Sequence, residues 1–171
     1  MEVNYKFKTT PYVHQKEALD RSIHKNLYGF FMEMGTGKSK VLIDTIAYLS
    51  DTDQINFALI IAPKGVYRNW VNKEIPDHFC EDVLHHVCYW QAKDTKAYRK
   101  ELEQFFMNTE PGVKIFVMNV EAFSSGKGKK IGEWIAHKFG CQGLIAIDES
   151  TTIKTPTAKR TKVLTKIASS F

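Results

Sequence analysis

Short apolar runs alternate along the chain with longer stretches in which apolar residues recur every three to four positions. Runs at 29–32, 57–62, 84–89, 114–118 and 143–147 precede helix-period segments at 39–49, 66–75, 95–107, 129–139 and 157–167. The runs are continuous rather than alternating, as in strands covered by helices on both faces. The pattern therefore predicts an α/β fold with a mostly parallel central sheet between two helical layers. Ahead of the first run, Val13, Ala18, Leu19, Ile23 and Leu27 sit at helical spacing after Pro11, predicting a helix over 12–27. Glu110-Pro111-Gly112 reads as a turn, and Gly126 and Gly128 in a Ser/Lys-rich stretch predict a mobile surface loop.

Bulk composition narrows the class. The 171 residues are 43% hydrophobic and 25% charged, which suits one globular domain with a sizeable core. The longest apolar runs fall far short of a membrane span and the N-terminus has no leader pattern, so no membrane partner and a cytoplasmic location are expected. Cys80, Cys88 and Cys141 make neither an even set nor a C-x-x-C pair, and a disulfide framework is not expected. His78, Cys80, His85, His86 and Cys88 cluster in sequence, but their spacing fits no familiar zinc finger and they overlap a strand candidate. The formal charge of +5 is local: residues 124–171 hold nine basic residues against three acidic ones, while 1–123 hold 15 against 16. Such a density suits a polyanion, and it equally suits a solvated lysine-rich face.

The chemistry is concentrated in two places. Glu33-Met34-Gly35-Thr36-Gly37-Lys38-Ser39 lies between an apolar run and a helical pattern, as a phosphate-binding loop does. Its glycines let backbone N–H groups close around phosphates, Lys38 reaches the β/γ-phosphates, and the Ser39 hydroxyl can sit on Mg²⁺. Met32 stands where the usual pattern has another glycine. The second place is Asp148-Glu149, two carboxylates at the end of an apolar strand, where open parallel sheets bind ligands. Asp148 is the candidate Mg²⁺ carboxylate, acting through water, and Glu149 the candidate base for the water that attacks the γ-phosphate.

The surroundings carry a family resemblance over the whole chain. Thr10-Pro11-Tyr12-Val13-His14-Gln15-Lys16-Glu17-Ala18 resembles the glutamine motif of helicase superfamily two, and Glu33 to Ser39 resembles the phosphate loop of its Swi/Snf branch. Ile61-Ala62-Pro63-Lys64 with Asn69-Trp70 and Glu74, then Asn119-Val120-Glu121-Ala122-Phe123, are similar to the next two motifs of that branch. Asp148-Glu149-Ser150-Thr151-Thr152-Ile153-Lys154 is similar to its acidic motif and the lysine that follows. The resemblance implies a RecA-like P-loop NTPase lobe over 1–171, using ATP and Mg²⁺ to move along duplex DNA. It assigns Gln15 to the adenine edge, Met34, Gly35, Thr36, Gly37, Lys38 and Ser39 to the nucleotide, and Ser39 and Asp148 to the metal. It assigns Lys38, Asp148 and Glu149 to catalysis, and Lys64, Asn119 and Lys154 to nucleic-acid phosphates. Tyr12 fits either a base-packing role or a core anchor, and Trp70 reads as core packing.

Two positions depart from the branch. Thr151 stands where a histidine is usual, and Thr155 where an asparagine is usual. The resemblance further implies a fragment: a second RecA-like lobe with arginine fingers is expected as partner, and the lobe alone is expected to be nearly inactive. A phosphotransferase that passes the γ-phosphate to a small substrate remains an alternative, as does a nucleotide-gated binding module without turnover.

Overall fold

A computed structural model of the chain describes residues 6–33, 35–149, 153, 155 and 157–171. Its four strands, β1 (Phe57–Ala62), β2 (His85–Tyr89), β3 (Val113–Asn119) and β4 (Gly143–Ile147), form a wholly parallel sheet in the order β2-β3-β1-β4. The helices are α1 (Val13–Ser22), α2 (Lys38–Asp51), α3 (Tyr67–Asn69), α4 (Ile75–His78), α5 (Lys96–Met107), α6 (Gly126–Phe139) and α7 (Lys159–Ala168). A π-helical turn, Trp70–Glu74, joins α3 to α4. Four parallel strands covered by helices on both sides make the expected three-layer α/β domain of RecA-like type.

β1 is buried along its whole length and divides the core by the two-residue period of a strand. Phe57, Leu59 and Ile61 face a cluster with Phe105, Phe106, Ile135 and Leu164 from α5, α6 and α7. Ala58, Ile60 and Ala62 face Ile43, Ile46 and Ala47 of α2 and Trp70 and Ile75 of the broken helix. The larger residues of β1 meet an aromatic stack in which Phe57 and Phe139 lie 4.3 Å apart, centroid to centroid. On the other face the smaller Ala58 and Ala62 share one cluster with the α2 residues Ile43, Ile46 and Ala47. Truncating a buried isoleucine here to alanine should cost about 2–5 kcal/mol.

Three expectations need correction. Residues 29–32 form no strand: Phe30 and Met32 pack against Leu19 and Val41, Phe31 is fully exposed, and no ladder partner lies alongside among the described residues. The inward and outward alternation of a strand is present there without the neighbour that would make it one. Residues 126–128 are the first turn of α6, not a mobile loop. Ser125 caps that helix by accepting from the Gly128 N–H at 3.1 Å, and a Cβ on Gly128 would lie 2.2 Å from the Ala122 carbonyl oxygen. Glycine is required there by close packing. The helix predicted over 12–27 stops at Ser22, whose hydroxyl turns back to the Leu19 carbonyl and to Thr45.

Candidate functional site

The loop before α2 takes its shape from two glycines. Gly35 and Gly37 have φ of 78° and 83°, in the left-handed region that costs other residues about 1–2 kcal/mol. Gly37 is also the N-cap of α2, and a Cβ there would lie 2.2 Å from Gln15 Nε2. Lys38 curls back and donates from Nζ to the carbonyls of Met32 at 3.0 Å and Glu33 at 2.9 Å. The Thr36 hydroxyl donates to the same Glu33 carbonyl. Met34 lies outside the described residues, and Ser39 is half-buried in the first turn of α2.

Gln15 is 5% exposed and ties the first helix to this loop. Its Nε2 donates to the Thr36 carbonyl at 2.9 Å, and its Oε1 accepts from the Tyr12 N–H at 3.0 Å. Both ends of the amide are thus engaged within the chain. His14, which sequence reasoning passed over, places Nε2 3.1 Å from the same Thr36 carbonyl. Tyr12 is 71% exposed, so the core-anchor reading of that ring does not hold. It stacks instead on the His14 ring.

The connection out of α2 fixes where Lys38 lies. Fourteen residues make a helix of about 21 Å, close to the ~20 Å of a six-residue strand such as β1. Only five residues, 52–56, separate the two, and α2 packs on the sheet face that includes Ala58 and Ile60. α2 therefore runs back along β1, and its N-terminus with Lys38 and Ser39 rises to the rim where β1 and β4 end. Within α2, Lys40 and Asp44 form a buried ion pair at 2.7 Å. Burial pushes the Asp44 carboxyl up to about 6, against the pull of Lys40.

At the same rim the Asp148 N–H donates to the Ile61 carbonyl at 2.7 Å, continuing the β1–β4 ladder by one step. Its side-chain Oδ2 accepts from the indole Nε1–H of Trp70 at 3.0 Å. Glu149 follows at φ 50°, exposed at the strand end. A non-glycine residue in this conformation stores strain of the kind that gathers at functional sites. The Ser39 hydroxyl and the Asp148 carboxylate, on elements that end at one rim, are hard oxygen donors of the kind that suits Mg²⁺. Among the described residues no group of three or more His, Cys, Asp or Glu side chains could hold a metal ion by itself, and Mg²⁺ ordinarily keeps phosphate and water oxygens in its shell.

Of the phosphate-contact candidates, Lys64 and Asn119 meet through Glu121. The Lys64 backbone N–H and the Asn119 Nδ2 both donate to Glu121 Oε2, each at 3.1 Å. This ties the ends of β1 and β3 together and leaves the Lys64 residue exposed beside them. Lys154 lies outside the described residues. Part of the basic excess is answered locally: Lys127 pairs with Asp94, and Lys129 and Lys166 both approach Glu133. All three cysteines are free thiols, and burial pushes Cys88 up to about 12. No helix among the described residues is long and apolar enough to cross a membrane.

Trp70, read from sequence as core packing, is 3% exposed and packs as expected. Its bond to Asp148 was missed, and the only hint was a buried indole, whose N–H needs a partner, one helix beyond a strand end.

Residues 14–170 match a protein family described as the SNF2-related domain. No curated protein matches the chain. Among solved structures, the chain is similar to the SWI2/SNF2 ATPase core of Sulfolobus solfataricus in complex with double-stranded DNA, with a TM-score of 0.62 and 21% identity. That similarity covers 94% of this chain and 30% of the archaeal one.

Proposed function

The chain belongs to the SNF2-related domain family, and on that premise we propose that it is the ATP-binding lobe of a DNA-dependent motor that couples ATP hydrolysis to movement along duplex DNA. What supports this reading is that the helix that starts with Lys38 and Ser39 and the strand that leads into Asp148 and Glu149 reach one rim of a parallel sheet. The triphosphate would lie at the N-terminus of α2, where loop N–H groups and the helix dipole favour anions. Lys38 would leave the Met32 and Glu33 carbonyls for the β- and γ-phosphate oxygens. Ser39 and, through water, Asp148 would hold Mg²⁺, which when bound neutralises charge developing on those oxygens. Glu149 would take the proton of the attacking water. Gln15 would exchange its internal partners for the adenine edge, which couples base binding to the Thr36 carbonyl and so to the loop.

The phosphate track would run over the ends of β1 and β3, at Lys64 and Asn119, with Lys154 beyond. The chain spans less than a third of the archaeal relative, and a second RecA-like lobe is proposed as the partner that completes the site. Arginine fingers supplied across such a cleft are worth ~10³–10⁵ in rate. A cytoplasmic location is part of the same proposal.

The test is ATP turnover by the full-length protein that carries this lobe, measured alone and with duplex DNA, single strands and RNA. Strong stimulation by duplex DNA, and little turnover by the 171-residue chain alone, is the expected result. Turnover indifferent to every nucleic acid but dependent on a small phosphate acceptor would replace the motor with a phosphotransferase.

A further inference from the structure

We propose that Trp70 is the positioning residue for Asp148: its buried indole N–H fixes Oδ2 and turns Oδ1 toward the water shell of the magnesium ion. The inference rests on the assignment of Asp148 as the metal carboxylate. An indole can only donate, and at 3% exposure its N–H has no route to bulk water, so the bond to Asp148 is the one that satisfies it. The carboxylate in turn is held at two points. Its backbone is clipped to the Ile61 carbonyl and its side chain to a ring buried in the cluster that includes Ile43, Ile75 and Ala62.

The helix around Trp70 is built to aim that ring. Pro76 has no N–H to return to the Asn72 carbonyl, so the regular α-helical ladder is interrupted in this stretch. The chain answers with a π-helical turn in which the Ile75 N–H reaches the Trp70 carbonyl, five residues back. The extra residue rotates Trp70 relative to the helix that follows. Four residues, 63–66, separate β1 from α3, and Trp70, which follows α3, points its indole nitrogen across the sheet end to Asp148 just beyond β4.

The choice of donor has a chemical consequence. A lysine or arginine at this place would orient the carboxylate and also cancel the charge that attracts the metal. A neutral N–H orients it and leaves the full negative charge for the ion. Partners of metal ligands that act in this way typically change metal affinity about 10–100-fold when removed.

The variant Trp70→Phe keeps the ring's apolar bulk and deletes the donor. In the full-length protein with ADP, Mn²⁺ affinity read by electron paramagnetic resonance should weaken about tenfold. The Mg²⁺ concentration that half-saturates ATP turnover should rise by a similar factor, with kcat largely restored at saturating Mg²⁺. Mn²⁺ affinity within twofold of the parent would overturn the inference. Asp148→Asn separates the layers: if it too leaves Mn²⁺ binding unchanged, the metal-site assignment itself fails, whereas strong weakening by Asp148→Asn alone rejects only the role of Trp70. A measurement on the unmutated indole covers the case in which Trp70→Phe does not fold. The Trp70 indole ¹⁵N–¹H signal, identified by changing Trp90 and Trp134 in turn, should broaden when Mn²⁺·ADP binds. A signal untouched by Mn²⁺·ADP contradicts the proposal.

Discussion

The two halves of the candidate site are held by different means. On the loop side, the Lys38 and Thr36 side chains donate to the carbonyls of Met32 and Glu33, Gln15 and His14 reach in from α1, and Phe31 stands fully exposed just before. On the acidic side, Asp148 is tied by its backbone to a fully buried strand and by its carboxylate to a buried tryptophan. On the proposed reading the loop would exchange several internal bonds to receive a triphosphate, while the carboxylate assigned to the metal already stands in place. If the proposed site is right, this division teaches that loop reorganisation would limit nucleotide affinity and the core would set metal placement.

The largest effect should come from the acidic side. Glu149→Gln in the full-length protein should keep ATP bound and lower kcat by ~10²–10⁴, as single-turnover assays with radiolabelled ATP would reveal. Undiminished turnover would remove Glu149 from the role of base. On the loop side, Lys38→Ala should weaken nucleotide binding and lower kcat/KM by about 10²–10³, measurable by calorimetry and steady-state kinetics. A contrast in which Glu149→Gln traps ATP and Lys38→Ala does not is what the two-sided description requires.

The helix behind the loop offers a pH probe. The Asp44 carboxyl holds its proton more tightly in the folded state, at about 6, than the 3.8 of an unperturbed carboxyl. Its contribution to stability is thus complete below pH ~4 and is lost as the pH rises through about 6, at most on the order of 3 kcal/mol. Urea unfolding of parent and Asp44→Asn from pH 4 to 7 should show the difference between them shifting in the variant's favour over that window. A pH-independent difference would mean that Lys40 compensates the buried carboxylate fully.

The smallest change expected is that of Gly37→Ala. The left-handed backbone and the approach of Gln15 should cost about 1–2 kcal/mol and push the amide off the Thr36 carbonyl, with a matching fall in melting temperature. An unchanged melting temperature would show that alanine at this position meets neither penalty.

Much of this was readable beforehand for definite reasons. β1 is a continuous apolar run because both its faces are covered, and the parallel sheet followed from such runs. Lys38, Asp148 and Glu149 were proposed from residue type and setting, and the structure puts the first at the start of α2 and the other two just beyond β4. Residues 29–32 misled because an apolar run reports burial, not the presence of a hydrogen-bonding neighbour. Gly126 and Gly128 misled because helix propensity, about 1 kcal/mol against each glycine, was outweighed by the Ser125 cap and by contact with the Ala122 carbonyl. The Trp70–Asp148 bond joins residues 78 positions apart through a π-turn, and no local pattern reports such a pairing.

The central claim is that one magnesium-nucleotide is shared between the start of α2 and the end of β4. A crystal structure of the lobe-bearing protein with Mg²⁺ and a non-hydrolysable ATP analogue measures it directly. The β- and γ-phosphates should lie against Lys38, with the ion between Ser39 and Asp148 and the Trp70 indole still on Oδ2. A nucleotide bound elsewhere, or an ion whose protein partners exclude both Ser39 and Asp148, would contradict the account.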